Sequence, residues 1–364
     1  MNLSTGIVGL PNVGKSTLFN ALTRGSVAAS NYPFCTIEPN MAIVEVPDLR
    51  LPHLQALLAP SACISTAIKI TDIAGLVRGA SKGEGRGNQF LADVRSADAL
   101  IHVVRCFQDD SVSHVDSTVD PVRDADTVIA ELMLADLEVT ERNLPNLDKV
   151  VRSDRHSTRK LELAALERAH EGLVQGIPVR GVGLTMEQEE ALHGYAFLTQ
   201  KPMLIVANVL EAEAQTGGDC LEALRSQYND SAILVVAAQF EAEISQLEAG
   251  ERTEFLDDLG LAESGVDQLV RGAYKLLDLI TFYTLANDKL QAWQLPLGTT
   301  APVAAGRIHT DMETGFIRAE VTTAEDLEQV EGRLSHLRDT GRLRTEGRDY
   351  TICDGDVVTF LFKN

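Results

Sequence analysis

The segment Gly9-Leu10-Pro11-Asn12-Val13-Gly14-Lys15-Ser16-Thr17 fits the pattern G-x-x-x-x-G-K-S/T and lies between a short apolar run at Ile7 and Val8 and a helical pattern. Strand, glycine-bearing loop and helix, in that order, are the setting in which this pattern cradles phosphate. Its glycines let the backbone curl, so that the N–H groups from Asn12 through Val13, Gly14, Lys15, Ser16 and Thr17 can converge on phosphate oxygens. The helix that follows adds its own donors and the positive end of its dipole. Lys15 is placed to reach the outer phosphates and Ser16 to ligate Mg²⁺. The chain is therefore expected to bind a nucleoside triphosphate.

Its 364 residues are too many for one small core and suggest two or three domains. The amino terminus shows no basic segment followed by an apolar stretch, and no apolar run is long enough to span a bilayer, so a cytosolic location without membrane contact is expected. Five cysteines, Cys35, Cys63, Cys106, Cys220 and Cys353, are scattered without a C-x-x-C pair. That usage fits free thiols in a reducing compartment rather than a disulfide frame or a zinc site. A net charge of −21 excludes indiscriminate coating of nucleic acid. Contact with RNA would need a local patch, and the run Arg152, Arg155, His156, Arg159 and Lys160 is either such a patch or a solvated helix face.

Short β-branched runs at 43–46, 67–70, 99–104, 203–206 and 232–236 read as buried strands separated by helices. This is the signature of a mostly parallel α/β sheet covered on both faces. Between about 126 and 200 the period becomes helical. Ala130, Met133, Leu137, Thr140, Leu144, Leu147 and Val151 form a stripe for helix–helix packing, and Pro145 within it predicts a kink or break. Leu163, Leu166, Ala169 and Leu173 mark a second helix, and Thr185 with Gln188 can box the start of a third. From about 282 alternating segments suggest a small sheet with one helix around Asp326 to Arg338, and Asp354-Gly355-Asp356 is a hairpin-type turn signal. The resulting division is a nucleotide domain over 1–125 and 201–280, an inserted coiled-coil-like helical domain over 126–200, and a β-rich module over 281–364.

Asp72-Ile73-Ala74-Gly75 follows the third strand-like run. In phosphoryl-transfer switches such an aspartate holds Mg²⁺ through water, and the glycine N–H meets the γ-phosphate. Thr36 sits where a first switch loop brings a hydroxyl to the metal. Glycines 79, 83, 85 and 87 make the following segment costly to order, as suits a loop fixed only when γ-phosphate is present. Leu76 occupies the place where small GTPases carry a water-positioning glutamine, and leucine can neither donate nor accept. His114, after the fourth strand, is a candidate for reaching the site, or else a solvated loop residue.

Guanine-specific proteins use N-K-x-D, whose aspartate accepts from the guanine N1–H and amine. Here the corresponding strand end reads Asn208-Val209-Leu210-Glu211. Loss of the lysine and lengthening of the acid remove or displace that fork, and the Asn208 amide is complementary to the N6 and N7 edge of adenine. The alternative is a strand-end or capping asparagine. Ala237-Ala238-Gln239-Phe240-Glu241 resembles the S-A-x-x-E loop whose backbone lies beside the purine.

Together the phosphate loop through Asn20, the segment Phe34 to Asn40, Asp72 through Gln89, Cys106-Phe107, Asn208 to Glu211 and Ala305-Gly306-Arg307-Ile308-His309-Thr310-Asp311 resemble the YchF family. These are the Obg-like ribosome-binding ATPases of the translation-factor class of P-loop proteins. The resemblance spans essentially the whole chain. It implies a P-loop G domain, an inserted helical domain and a C-terminal TGS module of β-grasp form. It further implies Mg²⁺-dependent hydrolysis of ATP in preference to GTP, with links to translation and oxidative stress. The implied partner is the ribosome, taken as its large subunit, with RNA contact through the inserted helices and TGS module of a monomeric chain. Site roles follow: Lys15, Gly75 and His114 in catalysis, His114 replacing the missing glutamine; Ser16, Thr36 and, through water, Asp72 on the metal. Asn208, Val209, Leu210, Ala237, Ala238 and Gln239 would surround the base. A conventional GTPase of ribosome assembly and a nucleotide-sensing scaffold with incidental turnover are the competing functions.

Overall fold

In the computed structural model, which describes residues 3–24, 40–75, 86–154, 157–229 and 231–363, the β-branched runs become strands. The chain divides into two units, Met1–Val44 with Lys69–Leu269 and Glu45–Ile68 with Val270–Asn364. In chain order the strands are β1 (Ser4–Val8), β2 (Met41–Glu45), β3 (Ala62–Ile64), β4 (Ala67–Asp72), β5 (Ala99–Arg105), β6 (Met203–Asn208) and β7 (Ala232–Val236), followed by β8 (Leu279–Ala286), β9 (Lys289–Pro296), β10 (Phe316–Thr323), β11 (Arg344–Glu346) and β12 (Asp356–Phe362).

The first unit is built on the sheet β2-β4-β1-β5-β6-β7. Its β1–β4, β1–β5, β5–β6 and β6–β7 pairings are parallel. Every residue of β5 and β6 is buried, which explains why these runs are mostly apolar instead of alternating, with His102, Arg105 and Asn208 the buried exceptions. Parallel strands align their carboxyl ends on one edge of the sheet, and β1, β4, β5 and β6 deliver Gly9, Asp72, Cys106 and Asn208 there.

Between β5 and β6 the chain makes a helical hairpin. The helix Pro121–Ser153 starts with Pro121 at its first position and Asp120 as its cap, whose carboxylate accepts from the Arg123 N–H at 3.1 Å. Pro145 does not end it; the helix continues to Ser153. The expected break is overridden by tertiary packing, since Val139 and Leu147 are buried against Ala165, Leu166, Ala169 and Leu173 of the helix Lys160–Val174 on either side of the proline. The capping box of Thr185 and Gln188 is formed. Asp136, pushed up by burial, accepts from the Leu198 N–H, the Thr199 N–H and the Thr199 hydroxyl at 2.7–2.8 Å, and so fixes the long helix to the returning chain.

The second unit is a mixed sheet of order β11-β10-β12-β8-β9-β3. Phe282, Leu295, Ala304, Ala305 and Val321 lie in its main core. Its edge strand β3 comes from the middle of the sequence and pairs in parallel with β9. That pairing explains why Glu45–Ile68 groups with the carboxy-terminal residues, a membership invisible in a three-residue strand. The single helix expected over Asp326 to Arg338 is two, Ala324–Gln329 and Leu334–Asp339, because Glu331 and Gly332 between them have φ of +51° and +73°. Gly355, at φ +90°, makes the expected turn before β12. No hairpin results, since β12 pairs with β10 and β8 and not with β11. Among the described residues, no helix is long and apolar enough to cross a membrane.

Candidate nucleotide site

The phosphate loop leaves β1 through two glycines with different work. A Cβ on Gly9 would stand 2.5 Å from the Val103 carbonyl oxygen, so only glycine lets the loop pass β5 this closely. Gly14 has φ +97°, and a Cβ there would meet the Asn208 Nδ2 at 2.2 Å. Asn12 takes the left-handed conformation at φ +61°, which asparagine tolerates, and its amide donates to the carbonyl and hydroxyl of Ser113, both at 3.2 Å. Lys15 opens the helix Lys15–Arg24. Its buried ammonium donates to the Gly9 and Leu10 carbonyls at 3.1 and 2.7 Å. Burial pulls its pKa from 10.5 to about 8, against the opposing pull of Asp72. Thr17 is half-buried in the first turn of the same helix.

Ser16 and Asp72 meet although 56 residues apart: the Ser16 hydroxyl donates to Asp72 Oδ2 at 3.0 Å. Asp72 Oδ1 is buried and has no hydrogen-bond partner among the described residues. Burial pushes this carboxyl up, and the Ser16 hydrogen bond and the Lys15 charge pull it back. Gly75 lies over the lysine; a Cβ there would come within 3.1 Å of Lys15 Nζ. Thr36 and Leu76, like Gly79, Gly83 and Gly85, lie outside the described residues.

At the base end, Asn208 is 4% exposed and is spent inside the protein. Its amide nitrogen donates to the Val13 carbonyl at 2.9 Å, and its oxygen accepts from the Ala238 N–H at 3.0 Å. The residue thus ties the phosphate loop, the end of β6 and the segment after β7 into one piece. The edge expected to face adenine has one donor and one acceptor committed in this way. Val209 is buried with its N–H on the Val236 carbonyl at 3.0 Å, whereas Leu210 is exposed. Ala237 and Ala238 are buried; Gln239 is exposed and donates to Glu243 at 2.9 Å. Glu241, buried and pushed up by that burial, accepts from the Gly265 N–H at 2.6 Å at the start of the helix Gly265–Leu276.

His114 is neither solvated nor free. Its Nδ1 accepts from the Asp116 N–H at 3.0 Å, which leaves the proton on Nε2, and Nε2 lies 2.8 Å from Asp124 Oδ2. Arg123 holds the other Asp124 oxygen at 2.8 Å. The loop bearing His114 is shaped by Arg105, which belongs to none of the sequence motifs. Buried at the end of β5, Arg105 donates to the carbonyls of Phe107, Val112 and Asp109, each at 3.1 Å. In the sequence it stands out as a charged residue closing a mostly apolar strand.

The cysteines are not all free thiols as expected. Cys106 and Cys220 form a disulfide with their Cα atoms 5.7 Å apart, because the end of β5 and the helix Gly218–Gln227 are neighbours in the fold. A separation of 114 residues hid that pair. Cys63 and Cys353 are free. In the basic run, Arg152 pairs with Asp148 at 2.8 Å and Arg159 with Glu162 at 2.7 Å; Arg155 and His156 lie outside the described residues.

A parallel sheet whose β1 runs into a glycine loop bearing Lys15 and Ser16, with Asp72 closing the neighbouring β4 against that serine, defines a P-loop nucleoside triphosphatase. Residues 4–135 match the 50S ribosome-binding GTPase family, and residues 279–363 match the YchF-GTPase C-terminal family, described as a protein of unknown function. The chain is 44% identical to the ribosome-binding ATPase YchF of Bacillus subtilis, over all of both chains. It is also 44% identical to that of Escherichia coli O157:H7, over 100% of this chain and 99% of the relative. The solved structure of the Schizosaccharomyces pombe YchF GTPase superposes with a TM-score of 0.88 at 33% identity, covering 99% of this chain and 98% of that one. The chain belongs to the YchF family.

Proposed function

We propose that the chain is a cytoplasmic, Mg²⁺-dependent ATPase that prefers ATP to GTP and uses its nucleotide state to change its affinity for the ribosome. The observation that carries this reading is the convergence of Lys15, Ser16, Asp72 and Gly75 at the carboxyl edge of the parallel sheet. Lys15 exchanges its two carbonyl partners for phosphate oxygens, and the loop N–H groups from Asn12 to Thr17 hold the rest of the triphosphate. Gly75, beside Lys15, supplies an N–H to the γ-phosphate.

The residues present fit a magnesium ion. Ser16 offers a hydroxyl, and the buried Oδ1 of Asp72, without a partner among the described residues, is the kind of atom that a hydrated cation satisfies. Ser16 and Thr36 would hold the ion and Asp72 its water. When bound, Mg²⁺ neutralises charge developing on the phosphoryl oxygens. His114 positions the attacking water after releasing Asp124.

The preference for adenine rests on what replaces N-K-x-D: Val209 and Leu210 remove the lysine, and Glu211 stands in for the aspartate. Asn208 contributes by holding the loops on either side of the base. The ribosome as partner is carried over from the names of the bacterial relatives, which are ribosome-binding ATPases. RNA contact by the hairpin and the carboxy-terminal module, action on the large subunit and a monomeric state belong to the same reading. The word GTPase in the matching family and in the fission-yeast relative keeps a guanine-specific enzyme as the alternative. Competition of unlabelled ATP and GTP against a fluorescent ATP analogue decides between them. Equal or better displacement by GTP would discard the adenine reading.

A further inference from the structure

We propose that Cys106 and Cys220 form a reversible dithiol–disulfide couple, oxidised by a peroxide, that tightens the nucleotide site when closed. Three observations meet at this pair. First, the Cα separation of 5.7 Å lies within the range a disulfide spans, so no backbone movement is needed to close it.

Second, the fold keeps the two residues together whether or not the bond exists. The helix Gly218–Gln227 that carries Cys220 sets Leu224 into the core beside Val104 of β5. Both cysteines pack on the same core of Val104, Ala125, Ile205, Ala207 and Leu224. Reduced thiols therefore remain apposed and can close again. Both are half-buried, so neither sulfur is sealed from a small oxidant or a dithiol reductant.

Third, the pair is wired to the nucleotide site. The Cys106 N–H donates to the Asn208 carbonyl at 2.8 Å, and the Asn208 side chain holds Val13 of the phosphate loop and Ala238. Cys106 also begins the loop whose Ser113 receives the Asn12 amide. Cys220 lies in the first turn of the helix that follows the segment after Asn208. Closing the bond ties that helix to the strand end on which the asparagine strut depends.

The chemistry is a two-electron exchange. Cys220, as its thiolate, attacks one peroxide oxygen, breaking the O–O bond and forming a sulfenic acid with release of water. The Cys106 thiol then attacks that sulfur, the S–O bond breaks, and a second water leaves as the disulfide forms. Two thiols are oxidised and one hydrogen peroxide is reduced to two waters. A dithiol reductant reverses the step.

The effect on nucleotide rests on the ATPase reading above; formation of the cross-link does not. The test uses the full chain with Cys35, Cys63 and Cys353 replaced by serine, fully reduced and then treated with hydrogen peroxide. Peptide mapping without reductant reads the 106–220 cross-link, and stopped-flow reads dissociation of a fluorescent ATP analogue. The expected result is the cross-link, reversed by dithiothreitol, with dissociation slowed about fivefold in the oxidised form. Adding Cys220→Ser should abolish both responses. Absence of the cross-link, or a cross-linked form that releases nucleotide at the reduced rate, would overturn the proposal. A reduced protein that binds no nucleotide would instead sink the ATPase reading, while the mapping still reports on the couple.

Discussion

The side-chain amide of Asn208 donates to the backbone carbonyl of Val13, 195 residues earlier, and this one hydrogen bond joins the end of β6 to the phosphate loop. The opposite end of the amide accepts from Ala238. Asparagine is needed because only an amide offers a donor and an acceptor in one plane at this reach. Asn208→Ala leaves a buried carbonyl and a buried N–H without partners, each costing about 1–3 kcal/mol. Affinity for ATP and GTP is expected to fall together, by about tenfold or more. Titration of both nucleotides against the variant checks this. A loss confined to ATP would mean that Asn208 reads the base directly.

Lys15 gives the site a pH signature. Its folded pKa, about 8 against an ordinary 10.5, means that between these values the unfolded chain carries a proton that the folded one lacks. The unfolded state then binds more protons, so this residue's contribution makes stability rise with pH across that window and stay level below it. Lys15→Met should flatten that slope in urea denaturation at pH 8 to 10. Phosphate beside the amine restores its proton, so ATP binding near pH 9 should take up most of a proton. Calorimetry in buffers of different ionisation enthalpy measures the uptake, which the methionine variant should lose along with most of its affinity.

Asp72 carries a different prediction, because one of its oxygens is satisfied by Ser16 and the other has no partner among the described residues. Asp72→Asn keeps the shape and removes the charge that a hydrated cation needs. The Mg²⁺ concentration for half-maximal ATPase activity should rise by about tenfold to a hundredfold, in line with the effect of lost outer-shell metal partners. Metal-free nucleotide binding should weaken far less. Equal loss with and without Mg²⁺ would place the role of Asp72 in folding of the β4 end.

Much of the first sheet was readable because parallel strands buried on both faces become continuous β-branched runs, and because Lys15 and Ser16 lie in one contiguous motif. Asp72 could be assigned to the same site as Ser16 because Asp72-Ile73-Ala74-Gly75 follows a strand downstream of the phosphate loop. What escaped depended on tertiary register. Nothing local tells Asn208 that Val13 and Ala238 will flank it, or Cys106 that Cys220 lies on the neighbouring helix. β3 is too short to show a period, and its partner β9 lies more than two hundred residues away. Pro145 does not break its helix because the rule for proline is local and the packing of Val139 and Leu147 is not.

His114 poses the sharpest test, since its imidazole is occupied on both sides, by the Asp116 N–H and by Asp124. To position a water at the γ-phosphate it must leave a buried carboxylate that Arg123 also holds. The bond to Asp124 is then a restraint on turnover as well as a brace for the loop. His114→Ala should lower kcat by about a hundredfold while leaving KM for ATP nearly unchanged, the size expected for loss of a positioned proton-transfer or water-orienting group. Asp124→Asn keeps the packing but weakens the hold, and should raise kcat by up to about tenfold, equivalent to roughly 1.4 kcal/mol off the barrier. The double variant should match His114→Ala, because Asp124 acts only through the imidazole. If Asp124→Asn instead slows turnover as severely as His114→Ala, the imidazole works while bound to Asp124 and the release step is discarded.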